Sequence, residues 1–334
     1  MGKVGERWQV SHALVHTYAR EELALSREAL EKLAWYYIFF GTAHSMTGVP
    51  GYTRLDGERA HCLRLMESCL ASKLWQEVKA LVGAISVYLD RQGWWTELLA
   101  AMSMTLDATR QTGDRNNEYR CLNSLGITCY KRGEYEETIS WFKQSLTILR
   151  ELDDRKGEGV TLNNIAASYM QQGRYDLALE SYQQNLSIRQ EVGDREGEVA
   201  TLNNIAGFYY HQGNYAQALF SYEQCLPIAR EVDDKIGVGQ TLNNIGIIYR
   251  FKGELNRAEE YYKQDLAICR ELGDRAGEAV SCWNISAIYY DMGDSAMAEK
   301  YISLAVEIMA SIGHPKLERC RVEMEQLRAE RRGA

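Results

Sequence analysis

The sequence predicts an all-α fold, a solenoid of stacked helix hairpins. Three observations carry this. The segment Leu-Asn-Asn-Ile stands at residues 162–165 and returns at 202–205 and 242–245, a fixed interval of 40 residues. Around it apolar residues fall three and four apart, as in Leu162, Ile165, Ala166 and Tyr169, which is the spacing of one helix face. The 334 residues hold only three prolines, Pro50, Pro227 and Pro315, so long helices run with little interruption.

Residues 1–73 lie outside the repeat register and read as a helical region. "ERWQVSHALVHTYAREEL" reads as a short strand running into a helix, and "REALEKLAWYYIFF" as a helix. "GTAHSMTGVPGYTRLDG" reads as a glycine-rich loop, with "ERAHCLRLMESCLASKLW" a further helix. Residues 74–113 form a degenerate hairpin with Gly93 and Trp95 at its turn. Residues 114–313 hold five units of 40 residues, opening at Asp114, Asp154, Asp194, Asp234 and Asp274. Each carries a central glycine, Gly133, Gly173, Gly213, Gly253 or Gly293, placed to end one helix in a left-handed turn so that the next folds back. Small residues, Ala166, Ala206 and Gly246 on first helices and Ala178, Ala218 and Ala258 on second helices, let neighbours approach closely. The recurrent Asp-Arg-x-Gly-Glu segments, such as 194–198, sit at hairpin junctions, where the Asp suits a helix cap. Residues 314–334 read as one capping helix. Its stripe of Leu317, Cys320, Met324 and Leu327 covers the last hairpin, as an open solenoid requires.

This pattern resembles the tetratricopeptide repeat (TPR), which has about 34 residues in its common form. It is most similar to the long-period type of kinesin light chains and many bacterial signalling proteins. The resemblance implies a right-handed TPR superhelix, an α-solenoid whose first helices line a concave groove. Asn163, Ala167, Met170 and Gln171 share one exposed stripe. Its equivalents are Asn123, Ile127, Tyr130 and Lys131; Asn203, Gly207, Tyr210 and His211; Asn243, Ile247, Arg250 and Phe251; and Trp283, Ala287, Tyr290 and Asp291. Such a groove holds a ladder of amides, each with donors and an acceptor, the complement of an extended polypeptide backbone. Similar TPR arrays use groove asparagines in this way, so the expected ligand is a polypeptide. Tyr210, His211, Arg250 and Phe251 differ between units and are the candidates for specificity. The second amides, Asn164, Asn204, Asn244 and Asn284, are assigned to bonds between hairpins. That the whole ladder serves stacking is the open alternative.

The order His12-Ala-Leu-Val-His16-Thr-Tyr18-Ala19-Arg20, then "LAWYY" and "LDGERAHCLRLMESCL", resembles the junction of winged helix and TPR sensor in bacterial STAND-type (NB-ARC-like) signalling ATPases. The sequence holds no G-x-x-x-x-G-K-[ST] phosphate loop. The resemblance therefore implies a C-terminal sensor fragment of a larger protein, with the ATPase domain upstream. A stand-alone scaffold, as the light-chain resemblance allows, is the alternative.

The totals narrow the function classes. A formal charge of −8 argues against general nucleic-acid binding. No apolar run reaches the ~18–20 residues of a membrane span, and "MGKVGERWQV" lacks the apolar core of a secretion signal. The eight cysteines form no CxxC pair and read as reduced, buried thiols of a cytoplasmic protein. His12 and His16 have a spacing that can hold a metal, yet no third ligand follows at helical spacing, so packing is the assignment and neither metal nor cofactor is expected. Asn284-Ile-Ser286 matches a glycosylation site but lies within a helix and is discounted. With no nucleophile–base pair in view, an enzyme is not expected. Self-association stays open, because a concave solenoid can bind a second copy.

Overall fold

A computed structural model describes residues 2–4, 7–9 and 26–333. The chain divides into two compact units, Met1–Ala178 and Leu179–Ala334. Apart from one short β-hairpin, the described residues form fifteen helices, so the chain is an all-α helical repeat protein.

In the first unit, β1 (Gly2–Val4) pairs antiparallel with β2 (Arg7–Gln9), Lys3 opposite Trp8. The strand read into "ERWQV" is β2; its partner was not foreseen. The helix expected after it, with His12 and His16, lies outside the described residues. Helices α1 (Arg27–Ser45), α2 (Val49–Ala71), α3 (Trp75–Arg91) and α4 (Trp95–Thr112) follow, then α5 (Arg115–Arg132), α6 (Tyr135–Glu151) and α7 (Arg155–Gln171).

The loop expected over residues 41–57 is a correction. Only residues 46–48 connect α1 to α2. Pro50 stands in the first turn of α2, where a missing N–H costs nothing, and Gly48 turns the chain with φ 71°. Gly51 is needed for close approach, since a Cβ there would lie 2.1 Å from the His44 carbonyl oxygen. Residues that punctuate a loop elsewhere thus serve a tight helix–helix corner. The core of this unit gathers Tyr37, Leu55, Leu65, Met66, Leu81, Ile85 and Leu89 from α1, α2 and α3. Each such side chain contributes about 1.5–3 kcal/mol on burial.

Helix α8 (Tyr175–Glu191) runs across the division between the units. The second unit continues with α9 (Arg195–His211), α10 (Tyr215–Glu231), α11 (Lys235–Phe251), α12 (Leu255–Leu272), α13 (Arg275–Asp291), α14 (Ser295–Ile312) and α15 (Leu317–Gly333). Its largest core joins Ile245, Tyr249, Tyr262, Ile285, Ile302 and Met309. Ala206, Ala218 and Ala258 are fully buried, and a Cβ on Gly246 would meet the Tyr262 ring at 2.8 Å. The small residues have the steric role their period suggests.

The junctions obey the sequence closely. Asp114, Asp154, Asp194, Asp234 and Asp274 each cap a first helix, their carboxylates accepting from the backbone N–H three residues on. The Glu of the same segment does more than its position announces. Glu118 accepts from Arg110 (3.0 Å) and Arg115 (2.6 Å), and Glu278 from Arg270 (2.9 Å) and Arg275 (2.6 Å). Each is a buried carboxylate clamped by two guanidinium groups, one from the preceding second helix. Gly133, Gly253 and Gly293 take the left-handed turn within hairpins, while Asp153 and Asp233 take it between hairpins at φ 56°.

Candidate functional site

The candidate residues lie on the first helix of each hairpin. In the second unit these helices are α9, α11 and α13. The face begins with Asn203, half-buried, whose Oδ1 accepts from the Thr241 hydroxyl of α11 at 3.0 Å. Asn243 Oδ1 in turn accepts from Asn284 Nδ2 of α13 at 2.8 Å. At this junction the second amide of one unit, Asn284, bonds the first amide of the unit before. The expected division, one amide for stacking and one for a guest, is therefore blurred. At Asn203 and Asn243 the carbonyl end is spent between hairpins, and only the NH₂ end remains for any guest.

Two turns further along, aromatic rings gather. Tyr210 lies 5.8 Å from Tyr215 and 6.2 Å from Phe251, and Tyr215 stacks on Phe251 at 6.0 Å with an interplanar angle of 4°. His211 meets the Tyr210 ring edge-on. Burial, with Tyr215 nearby, raises the Tyr210 phenol pKa. Phe251 is nonetheless 65% exposed, a large apolar surface left to water. Arg250 reaches along the face to Asp291 at 2.7 Å.

Trp283 and Tyr290 are held differently. Trp283 Nε1 donates to Glu323 Oε2 at 2.5 Å, and the Arg319 guanidinium lies 5.2 Å from its ring centre. The Tyr290 hydroxyl donates to Glu330 at 3.5 Å. Both carboxylates belong to α15, whose Cys320 and Leu327 are buried beneath. Glu323 and Glu330 stand one 40-residue period after Trp283 and Tyr290. The terminal helix therefore occupies the place of one more first helix, and it adds an acidic rung that the reading of a plain cap missed. Carrying the period past residue 313 would have found it. Between α11, α13, α14 and α15 lies a cleft of about 430 Å³, lined among others by Arg250, Ala287, Tyr290, Glu323 and Gln326.

In the first unit the corresponding face carries Asn123, Tyr130 and Asn163 on α5 and α7. Asn123 Oδ1 is buried with no donor among the described residues. Tyr130 packs edge-on to Tyr135 at 5.5 Å, and its neighbour Lys131 pairs with Asp90 at 2.6 Å. Asn163 is half-buried. A cavity of about 770 Å³ opens between α3, α4 and α5, where Gly83 stands in the place of the Asn of later units. Among the described residues no group of three or more His, Cys, Asp or Glu is placed to hold a metal ion. No described helix is long and apolar enough to cross a membrane.

This repeated hairpin, with small residues at its crossings and a decorated first-helix face, defines a helical-repeat protein. Family profiles described as tetratricopeptide repeat match residues 158–231 and 237–311, and another of the same description matches 120–152. The chain belongs to the tetratricopeptide repeat family. No curated protein matches its sequence. Among solved structures it is similar to BtubC from P. vanneervenii, with 23% identity over 66% of this chain and 92% of that one, TM-score 0.60. It is also similar to the apo form of the quorum sensor NprR from B. thuringiensis, with 15% identity over 93% and 91% of the two chains, TM-score 0.54. A third likeness is to a Signal Transduction ATPase with Numerous Domains (STAND) protein with a tetratricopeptide repeat sensor from Pyrococcus horikoshii. That likeness has 16% identity and a TM-score of 0.53, and it covers 94% of this chain but 55% of that one. At these identities the likeness is one of fold.

Proposed function

We propose that the chain is a protein-binding module whose first-helix face holds a stretch of polypeptide. The observation that carries this reading is the ring cluster of half-buried Tyr210 and Tyr215 with exposed Phe251, beside the cleft that Arg250 lines. Aromatic residues and arginine supply most binding energy at protein interfaces, and a stacked pair held in place loses little entropy on contact. The amide NH₂ groups of Asn203 and Asn243 supply donors for backbone carbonyls along the same face.

Because the Asn carbonyls also join hairpins, the sharper test replaces two rings of this cluster. Tyr210→Ala with Phe251→Ala weakens binding of a partner captured by the wild-type chain about ten- to a hundredfold, with helicity unchanged. Undiminished affinity in the folded double variant would place recognition elsewhere.

The finer reading is that polypeptide binding regulates an attached STAND-type ATPase. It is supported by the sequence resemblance around His12–Arg20 and by the likeness to the sensor of the Pyrococcus protein. Its test is nucleotide hydrolysis by the full-length gene product with and without partner, expected to rise with partner. A gene that encodes no ATPase leaves the scaffold reading.

A further inference from the structure

The fourth repeat departs from the others at one junction. Where the other units place Glu118, Glu158, Glu198 and Glu278, this one has Val238, so the clamp is missing there. Lys235, which stands where its neighbours have Arg, keeps only the outer pair, to Glu271 at 2.7 Å, as Arg195 pairs with Glu231 at 2.8 Å. The next residue is Gly239, and a cavity of about 280 Å³ opens between α11, α12 and α13. Asn243 and Gln240 stand at its edge, so it adjoins the first-helix face; Ile236, Ile268, Leu272 and Val280 form apolar walls.

Asp265 of α12 also lines it, only 6% exposed. It accepts from the Ser281 hydroxyl at 2.6 Å and the Cys269 thiol at 3.7 Å. Neither partner carries positive charge, and a buried carboxylate without a cation is costly. A Cβ on Gly239 would lie 2.9 Å from Asp265 Oδ1, so the missing side chain is what gives the carboxylate its room. The equivalent positions one and two periods earlier are Cys225 and Asn185, which bond Thr241 and Thr201 without charge. Stacking therefore does not require an acid here.

Resting on the groove reading above, we propose that this cavity takes the basic side chain, lysine or arginine, of the bound polypeptide, with Asp265 as its counter-charge. The apolar walls receive the methylenes of such a side chain while its head reaches the carboxylate, the division long cationic side chains make at any apolar surface. A chain of net charge −8 also draws a basic segment toward it.

The test uses three small probes: Nα-acetyl-arginine amide, Nα-acetyl-lysine amide and the neutral Nα-acetyl-citrulline amide. Methyl NMR of Ile236 and Ile268 reads their binding to the intact chain. The two cations should shift both methyls saturably, with citrulline at least tenfold weaker. Asp265→Asn should remove that preference without unfolding the unit, since Asn185 already occupies the equivalent place. Equal binding of citrulline and arginine, cation binding that survives Asp265→Asn, or no binding of either cation would each overturn the proposal. The Tyr210→Ala, Phe251→Ala variant should bind the arginine probe as the wild type does. If it does so while still holding its polypeptide partner, the groove reading has failed and the cation site stands.

Discussion

At position 265 the chain writes Asp where earlier units write Ser145, Asn185 and Cys225. Burial raises the pKa of this carboxyl, with the nearby Asp274 adding to it against the Ser281 and Cys269 hydrogen bonds; Lys235 and His314 also line the cavity. Because the folded-state value lies above the unfolded one, the contribution to stability is full at acid pH. It is lost as pH rises through the folded value. Asp265→Asn should therefore raise the urea midpoint of the free chain at neutral pH, and the gain should vanish at acid pH. A less stable Asn variant at neutral pH would mean that the charged form is well solvated inside. This residue was not legible in the sequence, because it sits among Tyr262, Leu266 and Cys269 on a helix that reads as packing. Superposing the periods was the signal that could have exposed it. Phe251 was legible, since it breaks its own column of the repeat, and Tyr210 was legible as one of the Tyr that return at that place in Tyr130 and Tyr290.

At the scale of elements, helix α10 carries Pro227 in its interior, at an exposed position where α12 has Ala267. The ring removes a backbone donor and crowds the preceding turn at a cost of ~3 kcal/mol, offset by ~0.4–1 kcal/mol from a stiffer unfolded chain. Pro227→Ala should thus stabilise the protein by about 2 kcal/mol in chemical denaturation. No gain would show that the local bend is required for Cys225 and Ala229 to pack. The hairpins themselves were readable because period, cap and turn agree at every unit. The corner between α1 and α2 was not, because Gly48, Pro50 and Gly51 look alike whether they fill a long loop or begin a helix. Contact with His44 decides between the two.

At the scale of the whole molecule, all eight cysteines are free and buried. Desolvation pushes their thiols up, Cys62 to about 12 and Cys225 to about 11. A thiolate is the reacting species, so both burial and proton affinity oppose modification. The native chain should react negligibly with an aromatic disulfide reagent at mildly alkaline pH, and all eight thiols should react in denaturant. Rapid reaction of even one native thiol would reveal local opening at a named helix. Repeat arrays open by segments, so mass spectrometry of the labelled site would locate the weakest hairpin.

The sequence by itself determined the repeat, the hairpin, the caps at Asp114 to Asp274 and the side of the first helix that carries the candidates. These rest on local rules, periodicity and turn geometry, that act within a few residues. Only the tertiary structure decided how the amides are used. It put the Asn203 and Asn243 carbonyls into bonds between hairpins, seated α15 as a further rung against Trp283 and Tyr290, and left Asp265 buried beside Gly239. Each of these joins residues from different helices, 26 to 41 positions apart. A bond across that interval depends on how the helices stack, and stacking is fixed by side-chain volume summed over the whole core.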